Sequence, residues 1–403
     1  MASSRTIALV TAFPPGKQTL NEYGYHLVKG FAERPDVDRV IVLADQLEAP
    51  AQELDLGPKV EVQRVWRFNA LGSQITLLRA IRRCKVDLVL FNLQMASFGD
   101  REIPAATGLF LPLLARLSGK TSGAILHNVI GGVDLEQTVL RGQRLRQWLV
   151  RTVGRLVTRA LLGATYVTTT LPAYYDLLRA AAPRAALDWV QHGTFDLAAD
   201  PVAPSKRPLT LNTMGKFGTY KRLETLITAF KKLRQSPEFK DLRLHIGGTD
   251  HPNTPGYMAS LEKEHGQDPA IDFAGYVAED AVPAFFAGAR LSVFDYSSTT
   301  GSSGVLHQAC AYGTVPVFPN IGDFVEVAKG EGVRGYHYEP NDVGSMAAAL
   351  GTALRAPAEL DALAASNLAA ADHMPFSKVI AHHMDQVAAR AQNAKPASSP
   401  AVA

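Results

Sequence analysis

Short runs of Val, Ile and Leu alternate along the chain with longer stretches whose apolar positions recur at helical spacing. In the first half the runs are Ile7–Phe13, Val40–Ala44, Leu88–Asn92, Ser122–His127, Tyr166–Thr170 and Trp189–Gln191. Segments that are apolar nearly throughout are strands buried on both faces, which is how a parallel sheet covered by helices reads. The rhythm pauses over Asp196–Pro208, a proline-bearing stretch of small residues that reads as a linker. It resumes with Leu209–Gly215, Leu242–Gly247, Ile271–Gly275, Leu291–Tyr296 and Val315–Pro319. The pattern predicts an α/β protein of two Rossmann-like domains, each with a parallel sheet, facing each other across a cleft. The expected boundaries are 1–196 for the N-terminal domain, 197–208 for the linker and 209–375 for the C-terminal domain. A helix over 376–391 and a frayed tail over 392–403 complete the chain.

Composition narrows the function. A chain of 403 residues is long for one hydrophobic core and suits two domains. Lys and Arg total 41 against 38 for Asp and Glu, so a net charge of +3 gives no coat for nucleic acid, and no nucleic-acid partner is expected. Cys84 and Cys310 are far apart, which argues against a disulfide framework or a cysteine metal site and fits a reducing, cytoplasmic compartment. No uncharged apolar stretch approaches the roughly 20 residues of a membrane span. Any membrane contact is therefore expected to be peripheral, on the inner face. Asp36-Val37-Asp38 looks like a paired-carboxylate metal motif but lies just before the second strand, where Asp is a common turn residue. No metal is expected.

Two loops carry candidate chemistry. In Leu209–Phe230 a strand is expected to end at Gly215, followed by a loop bearing Lys216 and Lys221 and a helix starting near Leu223. Two cations on a strand-to-helix loop suit a diphosphate, with free N–H groups at the helix start as further donors. In Asp295–Val317 a Ser/Gly turn precedes a helix expected from Val305 to Tyr312. The backbone N–H groups of Ser302, Ser303, Gly304 and Val305 can cradle a phosphate with the helix dipole behind them. A third signal is Arg141, Arg144, Arg146, Arg151, Arg155 and Arg159, with no acidic residue between Gln137 and Tyr175. Leu145, Trp148, Leu149, Leu156 and Ala160 are expected on one stripe of the same helix. Such a basic amphipathic helix suits an anionic membrane surface, through Arg144, Arg151 and Arg155, as well as it suits a core-facing helix with a solvated arginine face.

Gly215-Lys216, Lys221-Arg222, Leu226–Phe230, Leu244–Gly248, Phe273–Val277 and Ala309–Val317 occur in an order that resembles the group-1, family-4-like retaining glycosyltransferases of GT-B fold. Pro14-Pro15-Gly16, His127 and Gln191–Thr194 match more loosely. The resemblance implies that Lys216 and Lys221 hold the donor diphosphate and stabilise the leaving nucleotide, and that His127 reaches the donor sugar. It implies that Gly16 lets the donor approach the first domain and that Gly275, Tyr276 and Val277 meet the nucleobase, with Gly247 on the preceding strand of the donor site. It also implies that the last helix crosses back to the first domain. The family commonly has two glutamates eight residues apart where this chain has Thr300 and Gln308. Gln308 can still bond a ribose hydroxyl through its amide, whereas Thr300 cannot replace a carboxylate beside an oxocarbenium-like centre.

The expected function is a metal-independent retaining hexosyl transfer from a nucleotide-diphosphate sugar, with no cofactor beyond that donor. The acceptor is a glycan or lipid-linked hydroxyl in exopolysaccharide or lipid-linked glycan synthesis. A non-catalytic sugar-nucleotide-binding partner subunit and a nucleotide-sugar epimerase on the same fold are the alternatives. His127 and His307 are the titratable candidates an epimerase would need.

Overall fold

The computed structural model describes residues 4–16, 18–47, 49–129, 144–198, 200–251, 253–278, 280–298 and 301–393, with the backbone alone for 144–151, 323 and 391–393. The chain divides into two compact units, one of 1–191 with 377–403 and one of 192–376.

The first unit is built on β1 (Arg5–Thr11), α1 (Asn21–Ala32), β2 (Val37–Asp45), β3 (Val60–Trp66), α2 (Ser73–Arg83), β4 (Leu88–Leu93), α3 (Glu102–Gly108), α4 (Leu111–Leu117), β5 (Ser122–Leu126), α5 (Arg144–Leu161), β6 (Tyr166–Thr169), α6 (Pro172–Ala181) and β7 (Leu187–Trp189). Its strands form a seven-stranded sheet in the order β3-β2-β1-β4-β5-β6-β7, with every described pairing parallel. The central strands are apolar and fully buried, Ile7 to Leu9 and Leu88 to Phe91 each at 0% exposure, because helices cover both faces.

The second unit contains β8 (Thr210–Phe217), α7 (Glu224–Leu233), β9 (Arg243–Asp250), α8 (Tyr257–His265), β10 (Ile271–Gly275), α9 (Val282–Ala287), β11 (Leu291–Val293), α10 (Gly304–Ala311), β12 (Val315–Pro319), α11 (Gly322–Glu331), β13 (Tyr336–Tyr338), α12 (Val343–Arg355) and α13 (Pro357–Asp372). Its six-stranded sheet runs β10-β9-β8-β11-β12-β13, again parallel. Leu226, Ile227 and Phe230 of α7 join Leu244, Ile246, Leu291 and Val315 in its core.

The last helix, α14 (Phe376–Asn393), packs on the first unit. There the buried His383 Nδ1 lies 2.9 Å from the Tyr166 hydroxyl and Gln386 donates to Asp188 at 3.0 Å. The proline-bearing stretch read as a linker belongs to the second unit. Arg207 is 3% exposed and donates to the carbonyls of Val202, Ala289 and Tyr312 at 2.7 to 2.9 Å. Asp36 is spent on a two-pronged pair with Arg34 at 2.7 and 2.9 Å.

Several strands differ from the sequence reading. β3 and β13 were not expected because neither is a continuous buried run: β3 is half-buried along most of its length and β13 is three residues long, as suits the outer strands of a sheet. β7 lies two residues earlier than expected. β11 ends at Val293 rather than Tyr296, and Tyr296 instead forms an isolated antiparallel bridge with Lys221.

Candidate functional site

In the second unit, β8 runs two residues past Gly215, so Lys216 stands on the strand and not on a loop. Pairing continues through Lys216 opposite Thr249 and Phe217 opposite Asp250, and the fully buried Phe217 side chain anchors the extension. The chain then turns at Gly218, whose φ of 112° is open to glycine and strained for other residues. Lys221 folds back over Gly215, where a Cβ would lie 3.5 Å from its Cδ. Its Nζ sits 4.7 Å from the centre of the Tyr296 ring, a cation–π contact. Lys216 and Lys221 are close enough that, after burial itself, their charges help hold the His251 imidazole below its ordinary range.

The start of α7 does not offer the donors expected of it. Asp295, 2% exposed at the end of β11, accepts from Leu226 N–H at 3.0 Å, and Glu224 accepts from Leu223 N–H at 3.2 Å. Two carboxylates already occupy this helix end. Burial pushes the Asp295 carboxyl above its usual range despite those donors.

The start of α10 is different. Ser303 is its N-cap, with its hydroxyl accepting from Leu306 N–H. The N–H groups of Gly304 and Val305 meet no acceptor among the described residues, and neither does the buried Ser302 hydroxyl. The Tyr296 ring carries Lys221, and its buried hydroxyl meets no partner among the described residues. Gly304 faces His192: a Cβ there would lie 3.6 Å from the imidazole. Gln308 is 7% exposed, one turn further along α10. Thr300 lies outside the described residues.

On the neighbouring strand ends, a Cβ on Gly247 would come within 2.6 Å of Val277 Cγ2, which places Val277 over β9. Gly275 has φ of 66° with open space around it, and Tyr276 is 61% exposed. This is the edge expected to meet a nucleobase.

In the first unit, Gly16 sits in a tight loop after β1. A Cβ would lie 2.8 Å from the Phe13 carbonyl and 2.9 Å from Asp45 Oδ2. Sequence reading missed what holds that loop. Asp45 accepts from Phe13 N–H at 3.0 Å, and Arg64 donates to the Phe13 and Pro14 carbonyls at 2.9 and 2.7 Å. Nothing in the spacing of Asp45 and Arg64 marks them, since they sit at the ends of separate strands that the sheet brings together. His127 follows β5 directly and is 7% exposed. Its Nε2 bonds Asn92 Oδ1 at 2.8 Å, and because Asn92 Nδ2 donates to Thr11, the Asn92 oxygen is the acceptor and the imidazole the donor. Burial pushes its pKa down to about 3, so it is a neutral donor and no cation.

The stripe expected on α5 also changes. The buried face is Gly154, Val157, Ala160 and Leu161, while Leu156, placed on the core stripe by its spacing, is 60% exposed beside the exposed Arg155 and Arg159. The side chains of Arg144 and Arg151 lie outside the described residues. α5 packs on α3 and α4, which add exposed Ile103 and Leu117. Among the described residues no helix is long and apolar enough to cross a membrane, and no cluster of His, Cys, Asp and Glu has metal-site geometry.

Residues 208–356 match the family "Glycosyl transferases group 1". No curated protein matches the sequence of the chain. Among solved structures the chain is similar to sucrose-phosphate synthase from Thermosynechococcus elongatus, with TM-score 0.73 and 16% identity over 97% of this chain and 100% of that one. It is similar to Anabaena HepE, solved with UDP and glucose, with TM-score 0.65 and 17% identity over 96% and 99%. A third is an α,α-trehalose-phosphate synthase (UDP-forming) from Burkholderia xenovorans, solved with glucose-6-phosphate, with TM-score 0.69 and 13% identity over 95% and 100%. Two parallel sheets of seven and six strands agree with these matches: the fold is GT-B, and residues 208–356 match the group 1 glycosyltransferase family.

Proposed function

We propose that the protein is a retaining glycosyltransferase that takes a sugar from a nucleotide-diphosphate donor held by the second unit. The observation that carries this reading is the Lys221 ammonium held on the Tyr296 ring, together with the N–H groups of Gly304 and Val305 at the start of α10, which meet no acceptor among the described residues. A departing diphosphate needs its growing charge met by fixed donors, and lysines with a helix N-terminus supply that through the protein's own groups. Lys216, Gly215 and Gly304 fit the phosphates, and Gly247, Gly275, Tyr276 and Val277 the nucleoside. The acceptor, a glycan or lipid-linked hydroxyl, is assigned to the first unit with Gly16 and His127. Several structural relatives were solved with UDP, UDP-glucose or a sugar phosphate, which supports this substrate class.

Thermal stabilisation by a panel of nucleoside diphosphates tests the reading. One series is expected to stabilise the wild-type protein, and Lys216→Ala or Lys221→Ala is expected to weaken its affinity about tenfold each. Unchanged affinity in both variants removes the diphosphate assignment. Turnover is expected to survive a chelator, and loss of turnover with EDTA, restored by a divalent cation, would refute metal independence.

Gln308 in place of a carboxylate favours one second reading, a partner subunit that binds the sugar nucleotide without turning it over. Donor binding with neither transfer nor hydrolysis, across a panel of glycan and lipid-linked acceptors, would identify it.

The α5 surface supports a peripheral membrane site for a lipid-linked acceptor: Arg155 and Arg159 are exposed on the same helix as the exposed Val153 and Leu156, and the α3 and α4 helices packed on it carry the exposed Ile103 and Leu117. Arg151→Glu with Arg155→Glu is expected to lower binding to phosphatidylserine vesicles at low salt about tenfold or more, at roughly 1 kcal/mol per basic residue. Equal binding of wild type and variant leaves the helix as a solvated surface.

A further inference from the structure

The start of α10 contains a buried titratable pair that the proposed reaction does not use. His307 lies one turn into the helix and is 3% exposed, and Glu331 at the end of α11 is 9% exposed. His307 Nε2 is 2.6 Å from Glu331 Oε2, and its Nδ1 is 2.9 Å from the Ser303 carbonyl. A backbone carbonyl only accepts, and a carboxylate accepts, so an imidazole between them fills both positions when both ring nitrogens carry protons. Burial presses His307 toward the neutral form, but the charge and hydrogen bond of Glu331, with the Ser303 carbonyl, outweigh it and raise its pKa. On its open face the ring stacks on His192, with centroids 4.6 Å apart and planes at 12°. His192 bonds the Gly193 carbonyl through Nδ1 and lies against Gly304. Cys310, also buried, is the other titratable group under the influence of Glu331, whose charge adds to burial in keeping the thiol protonated.

The pair is oriented. Its cationic end touches Ser303, the cap of the helix start where the N–H groups of Gly304 and Val305 meet no acceptor among the described residues, and its anionic end lies on the far side. A charge arranged this way adds to the helix dipole at that start. The Ser303 carbonyl it grips also accepts from Leu306 N–H at 2.9 Å, so the same turn is held from the helix and from the imidazolium.

We infer that His307, charged by Glu331, is a positioning residue of the donor site: it fixes the Ser303 turn and adds positive potential where the donor diphosphate meets α10. The inference rests on the donor-site reading above and adds a residue that contacts the phosphate only through that turn. Glu331→Gln separates charge from shape. A glutamine amide donates to Nε2, the ring then keeps its Nδ1 proton for Ser303, and every hydrogen bond survives while the positive charge is lost.

The experiment compares the affinities of UDP, ADP and GDP with those of uridine, adenosine and guanosine, for wild type and Glu331→Gln. The variant is expected to weaken the diphosphate that binds wild type about tenfold and to leave the matching nucleoside unchanged. An unchanged diphosphate-to-nucleoside ratio overturns the inference and leaves the donor-site reading standing. A wild-type protein that binds no nucleoside diphosphate overturns the reading, and the inference falls with it. The wild-type protein also decides the matter should the variant misfold. As the pH is raised above the ordinary histidine range, the ratio is expected to fall as His307 loses its proton, and a ratio that stays flat overturns the inference.

Discussion

Gly248→Ala is expected to abolish nucleotide binding and to lower the stability of the second unit by at least about 3 kcal/mol. Gly248 pairs with Gly215 in the β8–β9 ladder, and a Cβ there would lie 1.9 Å from the Gly215 carbonyl oxygen. The obstructing atom is backbone, so no rotamer change relieves it, and φ of 141° is itself foreign to alanine. Relief requires the end of β8 to separate from β9, which moves Gly215 and Lys216 together. Gly256→Ala is the control: Gly256 also has a positive φ, 86°, but no atom lies within 4 Å of its Cβ position. That variant bears the conformational cost alone, of order 1 kcal/mol, and is expected to bind nucleotide as wild type does. Calorimetric melting and nucleotide titration of the two variants check the prediction, and equal behaviour of the pair refutes it.

The contrast shows what a linear sequence can carry. The strands buried on both faces announced themselves as apolar runs, and so did the start of α10, because Ser-Ser-Gly ahead of an apolar stretch is a local signal of a helix cap. The turn bearing Lys221 was legible for the same reason, whereas Lys216, expected on that loop, stands on β8 because the pairing with β9 runs past Gly215. What stayed hidden depends on pairs distant in sequence. Asp295 closes the start of α7 from the segment after β11, so the helix expected to bind phosphate is already capped, while the Tyr296 beside it takes Lys221 on its ring. Arg64 and Asp45 meet at the Gly16 loop only because the sheet aligns the ends of β2 and β3. Leu156 was misplaced because spacing defines a stripe on a helix but not which neighbour covers it. β3 and β13 were missed because partly exposed outer strands lack the continuous apolar run.

Mild acid is expected to destabilise the first unit steeply, well above the range in which carboxylates titrate. His127 and His383 are both buried there, at 7% and 0% exposure, and burial pushes each pKa from 6.5 down to about 3. A group whose folded pKa is depressed contributes stability that is fully present above its unfolded pKa. That stability is lost as pH falls from the unfolded value toward the folded one, because the unfolded chain takes up protons that the folded chain refuses. The window therefore opens near pH 6.5. Between about pH 7 and about pH 5 each histidine removes about 2 kcal/mol, roughly 4 kcal/mol for the pair. His307 does not offset this: its raised pKa contributes stability that is complete below pH 6.5 and lost only on the alkaline side. His383→Met removes one titrating group while keeping an apolar side chain against Tyr166. It is expected to lower the slope of stability against pH in this window, measured by urea unfolding of the first unit at several pH values. A slope unchanged by the substitution would mean that His383 is not buried in its neutral form, and that the docking of α14 against β6 is looser than its contact with Tyr166 implies.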